Sequence, residues 1–365
     1  MKFIHMADMH FDSPLVLLSE NSILGEQRRL EKRKIFKRII DYIKKEKIDF
    51  LFISGDLYEH EYIRKSTIEY INDLFAEIPE TKVFITPGNH DPLIKNSYYV
   101  TCKWNENVHI FGKELEKIEL SSNINLYGYS FDNFYMENPY EDIKVDEGDK
   151  EKINILITHC NLDGSLKSDK PYNEISTKEL VNSGFNYVAT GHIHKRDIKE
   201  EGKVKIVYPG STAAMGFDEL GEHGVIVGNI DEKSKEISIE FVPFDKEEFV
   251  KKEIDIGKIY SLEELVEKVN EIEIEDNKYY EIVLKGKRRI EIDINQIARL
   301  IESNRILKIK DSSVIQYDIE EISKEETLKG IFARKILLEM KKDEITEEKK
   351  KELEKAFEIG IEVLK

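Results

Sequence analysis

Residue types that bind divalent metals recur in five short clusters within the first 194 residues of the chain. The clusters are Asp8-Met9-His10, Gly55-Asp56, Gly88-Asn89-His90-Asp91, His159, and Gly191-His192-Ile193-His194. They supply carboxylates, an amide and imidazoles, which are the mixed oxygen and nitrogen ligands of metals such as manganese, iron and zinc. Such an inventory can hold two metal ions side by side, and a two-metal site is suited to the hydrolysis of phosphate esters.

The elements that must bring these clusters together are the apolar runs before them. Short runs that indicate buried strands lie at 50–53, 83–85, 153–157 and 187–189. In open α/β sheets the carboxyl ends of the strands share one edge, so we expect the clusters to meet there. Alternate residues of an extended segment point the same way, so Asp8 and His10 can face one site. An isolated Asp-x-His is most often a surface turn, but five clusters in order favour a metal site.

Polar helical stretches fit between the predicted strands of residues 1–245. Helices are predicted near 28–47, 64–77 and 176–183. Ser176 and Glu179 form a capping box that opens the third of these helices. From 204 to 243 the pattern changes to hairpin-like strands. The sequence therefore predicts an α/β fold, a mixed sandwich whose sheet faces are covered by helices.

The rest of the chain reads as a smaller domain followed by helices. Residues 246–322 predict a βαβαβ unit, with strands at 248–256, 279–285 and 305–318 and helices after Ser261 and at 292–303. Residues 323–365 look helical, with Ser323 and Glu326 as a capping box. Their last helix carries one apolar stripe, formed by Leu353, Ala356, Phe357, Ile361 and Leu364. We therefore predict three parts, at 1–245, 246–322 and 323–365.

Composition limits the class of protein. Of the 365 residues, 40% are hydrophobic and 35% are charged, which predicts a large core and a very polar surface. The net charge of −17 argues against broad non-specific affinity for nucleic acid, although bound metals would reverse the local sign at a site. With two cysteines, no apolar run of 18 residues and no signal-peptide pattern, we expect a cytoplasmic protein without disulfides or a membrane segment.

In order and spacing, the five clusters resemble the calcineurin-like metallophosphoesterases. Two segments narrow this resemblance to the DNA-repair exonuclease branch of the SbcD and YhaO type. They are Ala7-Asp8-Met9-His10-Phe11-Asp12-Ser13-Pro14 and Asp49-Phe50-Leu51-Phe52-Ile53-Ser54-Gly55-Asp56-Leu57-Tyr58. The resemblance covers residues 1–245, is only architectural for the smaller domain, and is weak for the last helices.

The resemblance implies two metal sites that share one carboxylate. One metal would be held by Asp8, His10 and His194, the other by Asn89, His159 and His192, with Asp56 bridging both. His90 would stand beside the metals as general acid or transition-state stabiliser, with Asp91 orienting its ring. Manganese is the implied metal, with iron, zinc and magnesium left open.

The implied activity is exonuclease cleavage of DNA, with endonuclease activity left open. The implied partner is a coiled-coil ATPase of the SbcC or YhaN type. Residues 246–322 would cap the site, and residues 323–365 would dock the partner, while a homodimer is left open. The alternatives are a phosphatase or cyclic-nucleotide phosphodiesterase on the same fold, and a scaffold without enzymatic activity.

Several further segments allow two interpretations each. The predicted helix 28–47 carries ten basic and three acidic residues, so it either contacts phosphates or presents a solvated face. The basic run 285–289 likewise either contacts phosphates or faces solvent. The aromatic residues from Tyr127 to Tyr135 either stack on unpaired bases or pack in the core. Cys160 is better explained as a buried thiol than as a ligand.

Overall fold

The computed structural model describes residues 1–14, 22–140, 143–342 and 345–364. The chain forms two compact units. The first comprises Met1–Val250 with Asn277–Tyr279, and the second comprises Lys251–Asp276 with Tyr280–Lys365. Residues on both sides of the predicted boundary at 322/323 lie in the second unit, and the assignment of three functional parts stays a prediction.

Two six-stranded sheets build the first unit. The strands are β1 (Lys2–Met6), β2 (Phe50–Ile53), β3 (Lys82–Ile85), β4 (Val108–Ile110), β5 (Glu116–Ser121), β6 (Ile124–Gly128), β7 (Ile153–His159), β8 (Asn161–Leu162), β9 (Glu174–Ile175), β10 (Tyr187–Gly191), β11 (Asp197–Glu201), β12 (Val204–Tyr208), β13 (Gly224–Asp231) and β14 (Glu236–Pro243). Their orders are β14-β13-β1-β2-β3-β4 and β11-β12-β10-β7-β6-β5, with β8 and β9 as a separate pair.

Parallel pairing places the carboxyl ends of the strands that carry the candidate ligands at one edge of each sheet. In the first sheet β1, β2, β3 and β4 run parallel, and in the second β6, β7, β10 and β12 do. Strand β13 is antiparallel to β1, and β14 to β13, which gives the hairpin predicted from 204–243. The carboxyl ends of β1, β2 and β3 therefore lie side by side, and so do those of β7 and β10.

The alternation of side chains along each strand produces the layers. On β1, Phe3 packs between the two sheets against residues such as Phe52 and Tyr187, whereas Ile4 packs on the opposite face. That opposite face is covered by helices α1 (Ser22–Glu46) and α2 (Lys65–Ala76). The remaining helices are α3 (Tyr98–Thr101), α4 (Thr177–Asn182) and a 3₁₀ turn at Glu147–Asp149. The predicted mixed α/β sandwich is confirmed.

Helix starts follow the predicted caps only in part. The Ser176–Glu179 capping box is present at the start of α4, since each side chain binds the other's backbone amide. Helix α1 begins at Ser22, six residues before the predicted start, and the added turns contain Gly25, a residue of low helix propensity. None of the helices in the described ranges is long and apolar enough to cross a membrane.

The remaining elements are β15 (Glu248–Asp255), α5 (Leu262–Asn270), β16 (Lys278–Lys285), β17 (Lys287–Arg288), α6 (Ile294–Leu300), β18 (Ile306–Asp311), β19 (Val314–Ile315), α7 (Ile319–Ile322), α8 (Leu328–Met340) and α9 (Glu347–Val363). They lie in the second unit, except that β15 and β16 begin with residues of the first. A sheet of order β15-β16-β18 matches the predicted βαβαβ order. The predicted cap at Ser323 is wrong, because Thr327 caps α8 by accepting a hydrogen bond from the Gly330 amide.

Candidate metal centre

The predicted ligands lie where strands of the two facing sheets end. Asp8, Asp56 and Asn89 follow β1, β2 and β3 of the first sheet. In the second sheet, His159 ends β7 and pairs in register with Gly191 of β10, so His192 emerges beside it. Each sheet therefore contributes one wall of the same cleft.

The loop backbones that carry these ligands adopt an uncommon conformation. Asp8, His10 and Asp56 have φ values of 52°, 47° and 52°, in the left-handed region that non-glycine residues seldom occupy. Hydrogen bonds between the loops hold this geometry, since the Asp8 amide donates to the Gly55 carbonyl and the His10 amide to the Asp56 carbonyl. Strain retained at adjacent polar residues is typical of a functional site.

Two glycines allow the loops to approach each other closely. A Cβ atom on Gly88 would lie 2.3 Å from Oδ1 of Asp56. A Cβ atom on Gly191 would lie 1.9 Å from the Ser54 carbonyl oxygen. Any larger residue at either position would push apart the loops that carry the ligands.

The first set of ligands presents two imidazole nitrogens to each other. His10 Nδ1 lies 2.7 Å from a Glu59 oxygen, and His194 Nδ1 lies 2.7 Å from a Glu219 oxygen. Both Nδ1 atoms are hydrogen-bonded to carboxylates, and the two Nε2 atoms lie only 3.2 Å apart. Asp8 and Asp56 oxygens lie 3.9 and 3.8 Å from these nitrogens. A cation between the rings could bind both nitrogens together with both carboxylates.

The second set faces the same carboxylate from the other sheet. His159 Nδ1 donates to the Ser54 carbonyl at 2.8 Å, so its Nε2 faces Asn89 Oδ1 at 3.0 Å and Asp56 Oδ2 at 3.3 Å. His192 Nδ1 lies 3.1 Å from the same Asn89 oxygen. Nε2 of His192 is buried without a hydrogen-bond partner among the described residues. A cation between these groups would bind the imidazole nitrogens together with the amide and carboxylate oxygens.

Asp56 is the group that both sets share. Its Oδ2 is the oxygen near both His10 and His159, while its Oδ1 accepts a hydrogen bond from the His90 amide at 2.8 Å. Burial alone would raise the pKa of this carboxyl, but nearby His159 and His90 hold the pKa well below its usual range. A carboxylate that stays ionised between two sets of ligands is suited to bridging two cations.

The donor set therefore fits two divalent cations. Ligand atoms of Asp8, His10 and His194 lie within 4.8 Å of one another, and so do those of Asp8, Asp56 and His159. All seven predicted ligands are brought into one cleft, with imidazole and oxygen donors mixed in each set. The assignment of individual ligands to one metal or the other stays a prediction.

His90 lies beside the ligands. Its Nδ1 is 3.0 Å from a Glu59 oxygen, its ring is 4.9 Å from that of His10, and its side chain is 45% exposed. Burial of the ring opposes its charge, but Asp56 and Glu59 raise the pKa of His90 to about 10. His90 is therefore placed to keep a proton at the mouth of the cleft.

The predicted role of Asp91 as the group that orients His90 is wrong. Among the described residues, the partners of the Asp91 carboxylate are the Tyr99 hydroxyl and backbone amides that include Asp56, Leu57 and Gly88. Asp91 thus fixes the loop backbone, whereas Glu59 holds the ring. Glu59 stands three residues after Asp56, and its acidic side chain beside that cluster was the available signal.

Glu219 is a second functional residue that the sequence analysis missed. It accepts hydrogen bonds from His194 Nδ1, the Ser211 hydroxyl and the Met215 amide. Burial would raise the pKa of Glu219, but its hydrogen bond with His194 lowers the pKa to about 2. A carboxylate behind a ligating histidine fixes the ring and its tautomer. Glu219 lies 25 residues from His194, so no local pattern could have paired them.

Residues 1–196 match the family model of the calcineurin-like phosphoesterases. The chain belongs to this family. The two facing sets of donors are candidate sites for the two metals that this family uses. The predicted fold and family are thereby confirmed.

One curated relative is the uncharacterized metallophosphoesterase YhaO of Bacillus subtilis, which is 30% identical over 249 residues. The match covers 66% of this chain and 59% of that relative's length. Similar solved structures include an archaeal phosphodiesterase (15% identity, TM-score 0.35, 66% of this chain and all of that one). A dimetal phosphatase from Danio rerio (10%, 0.38, 62% and 92%) and GAP50 of Plasmodium (12%, 0.40, 67% and 85%) are further examples.

Within this phosphoesterase, the basic helix α1 supports the metal centre from behind. Lys32 is buried, and its ammonium donates at 3.0 Å to the carbonyls of both Met9 and His10. Arg28 is buried as well, donating to the Ala214 carbonyl and pairing with Asp245. Neither interpretation made from the sequence describes these two residues, since they neither reach a phosphate nor face solvent. Lys32 holds the loop that carries Asp8 and His10, and Arg28 holds the segment around Ala214.

We predict that Lys32→Met weakens metal binding roughly 10- to 100-fold, the range expected when a group behind a ligand is removed. The variant leaves two carbonyls of a strained loop without their charged donor, and such hydrogen bonds contribute about 1.5–3 kcal/mol each. Titration calorimetry with manganese measures the change. Lys34→Met is the matched control, because Lys34 lies on the same helix with 69% of its side chain exposed. Wild-type affinity in Lys32→Met would remove Lys32 from the site.

The other ambiguous segments now have structural accounts. In the basic run, Lys285, Lys287 and Arg288 pair with Glu253, Glu358 and Asp311, so their charge is largely compensated. The aromatic segment divides: Tyr127, Tyr129 and Phe131 are buried, whereas Phe134 and Tyr135 are not. Cys160 is buried, and burial raises its thiol pKa to about 12, which fits an inert thiol.

Proposed function

We propose that this phosphoesterase is a divalent-metal-dependent DNA exonuclease, with endonuclease activity left open. The observation that carries the proposal is the convergence of six candidate ligand side chains around a seventh, Asp56, with the proton-bearing His90 placed just outside them. Two metals and one external acid are the equipment needed to cleave a phosphodiester in line. Manganese is the proposed metal because the resemblance implies it, and the mixed imidazole and oxygen ligands suit manganese, iron and zinc alike.

Different residues of the chain have different roles in the proposed hydrolysis. When bound, the two cations would neutralise the phosphate and activate water as the nucleophile. Glu59 accepts the Nδ1–H of His90, so Nε2 of that ring is directed away from Glu59 and offers its proton to a phosphate or leaving oxygen. Asp91 and the Lys32 ammonium hold the loops in place while substrate binds.

Features of the chain beyond the ligand residues themselves favour DNA over small phosphoesters as the substrate. The segments 7–14 and 49–58 resemble those of the SbcD and YhaO type of exonuclease, and a further compact unit follows the catalytic one. Exposure of His90 leaves the cleft open to a polymer. The metals would contact only the phosphate group, so the ligands do not distinguish DNA from other phosphoesters. A phosphatase or a cyclic-nucleotide phosphodiesterase is therefore the alternative, and assays with different substrates distinguish it from a nuclease.

The test compares substrates in the presence of manganese, iron, zinc or magnesium. Linear duplex and single-stranded DNA are offered beside closed circular DNA, a chromogenic phosphodiester, a chromogenic monoester and a cyclic nucleotide. We expect shortening of linear DNA from its ends, with manganese most effective, and no turnover by Asp56→Asn. Hydrolysis of the monoester or the cyclic nucleotide with intact DNA would overturn the proposal.

We also propose a coiled-coil ATPase of the SbcC or YhaN type as the partner, docking on the C-terminal helices. The apolar stripe of the last helix is only partly free to contact a partner. Phe357 and Ile361 are buried against Ala333 and the ring of Phe332, so they belong to the core of the second unit. The exposed apolar residues of α8 are Leu328, Ile331 and Leu338, which share one helix face because they are three and seven residues apart. These are the anchors that we now propose.

We expect the double variant Leu328→Lys, Leu338→Lys to lose ATPase binding while keeping its melting temperature. Both side chains are mostly exposed, at 72% and 68%, so charge there costs the fold little. Phe357→Ala is the contrasting control, because emptying this buried position should destabilise the second unit by about 3–5 kcal/mol. Pull-down with the ATPase and melting curves separate the two effects. Undiminished binding by the double variant would refute docking on this face.

A further inference from the structure

The segment after β6 leaves the core beside the metal centre. Gly128 of β6 pairs with Ile157 of β7, two residues before the ligand His159. The ring of Phe131 then packs 5.7 Å from the ring of His159. Beyond Phe131 the chain surfaces, and Tyr135 is 41% exposed although it is large and aromatic. This exposed ring, four residues beyond Phe131, is available to a substrate.

Tyr135 is connected to a metal ligand through a series of rings. Its ring lies 5.7 Å from that of Tyr172, and the Tyr172 ring lies 5.0 Å from that of His192 with an interplanar angle of 35°. The backbone fixes this spacing, since the Met136 amide donates to the Pro171 carbonyl and the Asn173 amide donates to the Met136 carbonyl. We call Tyr135 and Tyr172 the aromatic ledge.

The same segment also borders the His90 side of the cleft. The ring of Phe134 lies 5.9 Å from that of His60, and the His60 amide donates to the His90 carbonyl at 2.9 Å. One short segment therefore touches residues next to both His192 and His90. A phosphate bound between the metals would place its attached nucleoside within reach of these rings.

One cation lies over the ledge. The Lys170 ammonium is 3.9 Å from the centre of the Tyr135 ring and also bonds the Tyr135 hydroxyl. Exposed cation–π contacts are weak, so a stacking base can displace Lys170 from the ring at little cost. The released ammonium would then face the neighbouring phosphate. Aromatic rings beside a mobile cation are the pattern by which proteins hold unpaired nucleotides.

Resting on the proposed phosphodiesterase function, we propose that the aromatic ledge stacks a nucleobase next to the phosphate being cut, with Tyr135 as its main contact. The ledge would make the enzyme prefer phosphoesters that carry a base over those that carry only a sugar. It reads the flat face of the base and not its edge, so it would accept all four bases. Cutting would therefore favour ends whose terminal base is unpaired.

The test measures binding of reaction products, so it does not depend on nuclease activity. Manganese-loaded protein is titrated with deoxynucleoside monophosphates, both 3′ and 5′, and with deoxyribose phosphates that lack the base. We expect wild type to bind the nucleotides roughly 5- to 150-fold more tightly than the sugar phosphates, and Tyr135→Ala to lose that preference. Tyr135→Phe keeps the ring and should keep the preference.

Two results would overturn the ledge. One is equal affinity of wild type for nucleotide and sugar phosphate. The other is an equal loss of both affinities in Tyr135→Ala, which would mean that the ring only supports the fold. If wild type prefers nucleotides but cuts no DNA, the ledge stands and the proposed nuclease function fails. In kinetic experiments, we expect Tyr135→Ala to have a higher KM than wild type for oligonucleotides. This difference in KM should disappear when the terminal nucleotide is abasic.

Discussion

Asp56→Asn should bind at most one metal and lose at least about 10² of the hydrolysis rate on every phosphoester that the wild type cuts. Oδ2 of Asp56 lies 3.3 Å from His159 Nε2 and 3.8 Å from His10 Nε2, so its charge serves both sets of ligands. The substitution changes charge while keeping shape, and asparagine tolerates the left-handed backbone that Asp56 adopts at φ 52°. The loss should therefore come from the metals and not from the fold.

Metal content, turnover and melting temperature are measured on the same preparation of Asp56→Asn. Asp41→Asn is the matched control, because Asp41 is exposed on α1 and pairs only with Lys37 in the described structure. The control should behave as wild type in all three measurements. Two tightly bound metals together with an unchanged rate in Asp56→Asn would show that the shared carboxylate has been assigned wrongly.

His90→Ala should keep both metals yet lose about 10²–10⁴ of the cleavage rate, the usual contribution of a general acid. The ring lies outside both ligand sets, with Nδ1 held by Glu59 and its side chain half exposed. Removing it costs the site a proton donor but no metal ligand. Elemental analysis and single-turnover rates report these two properties separately.

His109→Ala is a suitable control, since His109 also pairs with a glutamate and is 38% exposed, but lies away from the ligands. Glu59→Gln supplies a second comparison. Because Glu59 is one of the carboxylates that raise the pKa of His90, its loss should move the alkaline fall in activity to lower pH. Loss of a metal in His90→Ala would make His90 a ligand, and an unchanged rate would exclude it from the chemistry.

The candidate metal ligands could be predicted from the sequence because they lie at or just after the ends of strands. These strands are indicated by local apolar runs. The supporting residues could not, because they reach the ligands across the fold. Glu219 binds His194 from a loop 25 residues away, and Lys32 reaches the His10 carbonyl from a helix. The apolar stripe of the last helix was recognised, but sequence could not show that Phe357 packs on the neighbouring helix.

The walls of the cleft belong to different sheets, and this has a consequence for when the site can form. His10 and His194 face each other at 3.2 Å although 184 residues separate them in the chain. Contacts between such distant positions form late, because a long loop must close before they are made. A chain emerging from the ribosome therefore has no complete centre until both sheets have been synthesised and docked. Metals can therefore bind the full set of candidate ligands only after the two sheets have docked, and chelation should loosen the edge where the two sheets meet.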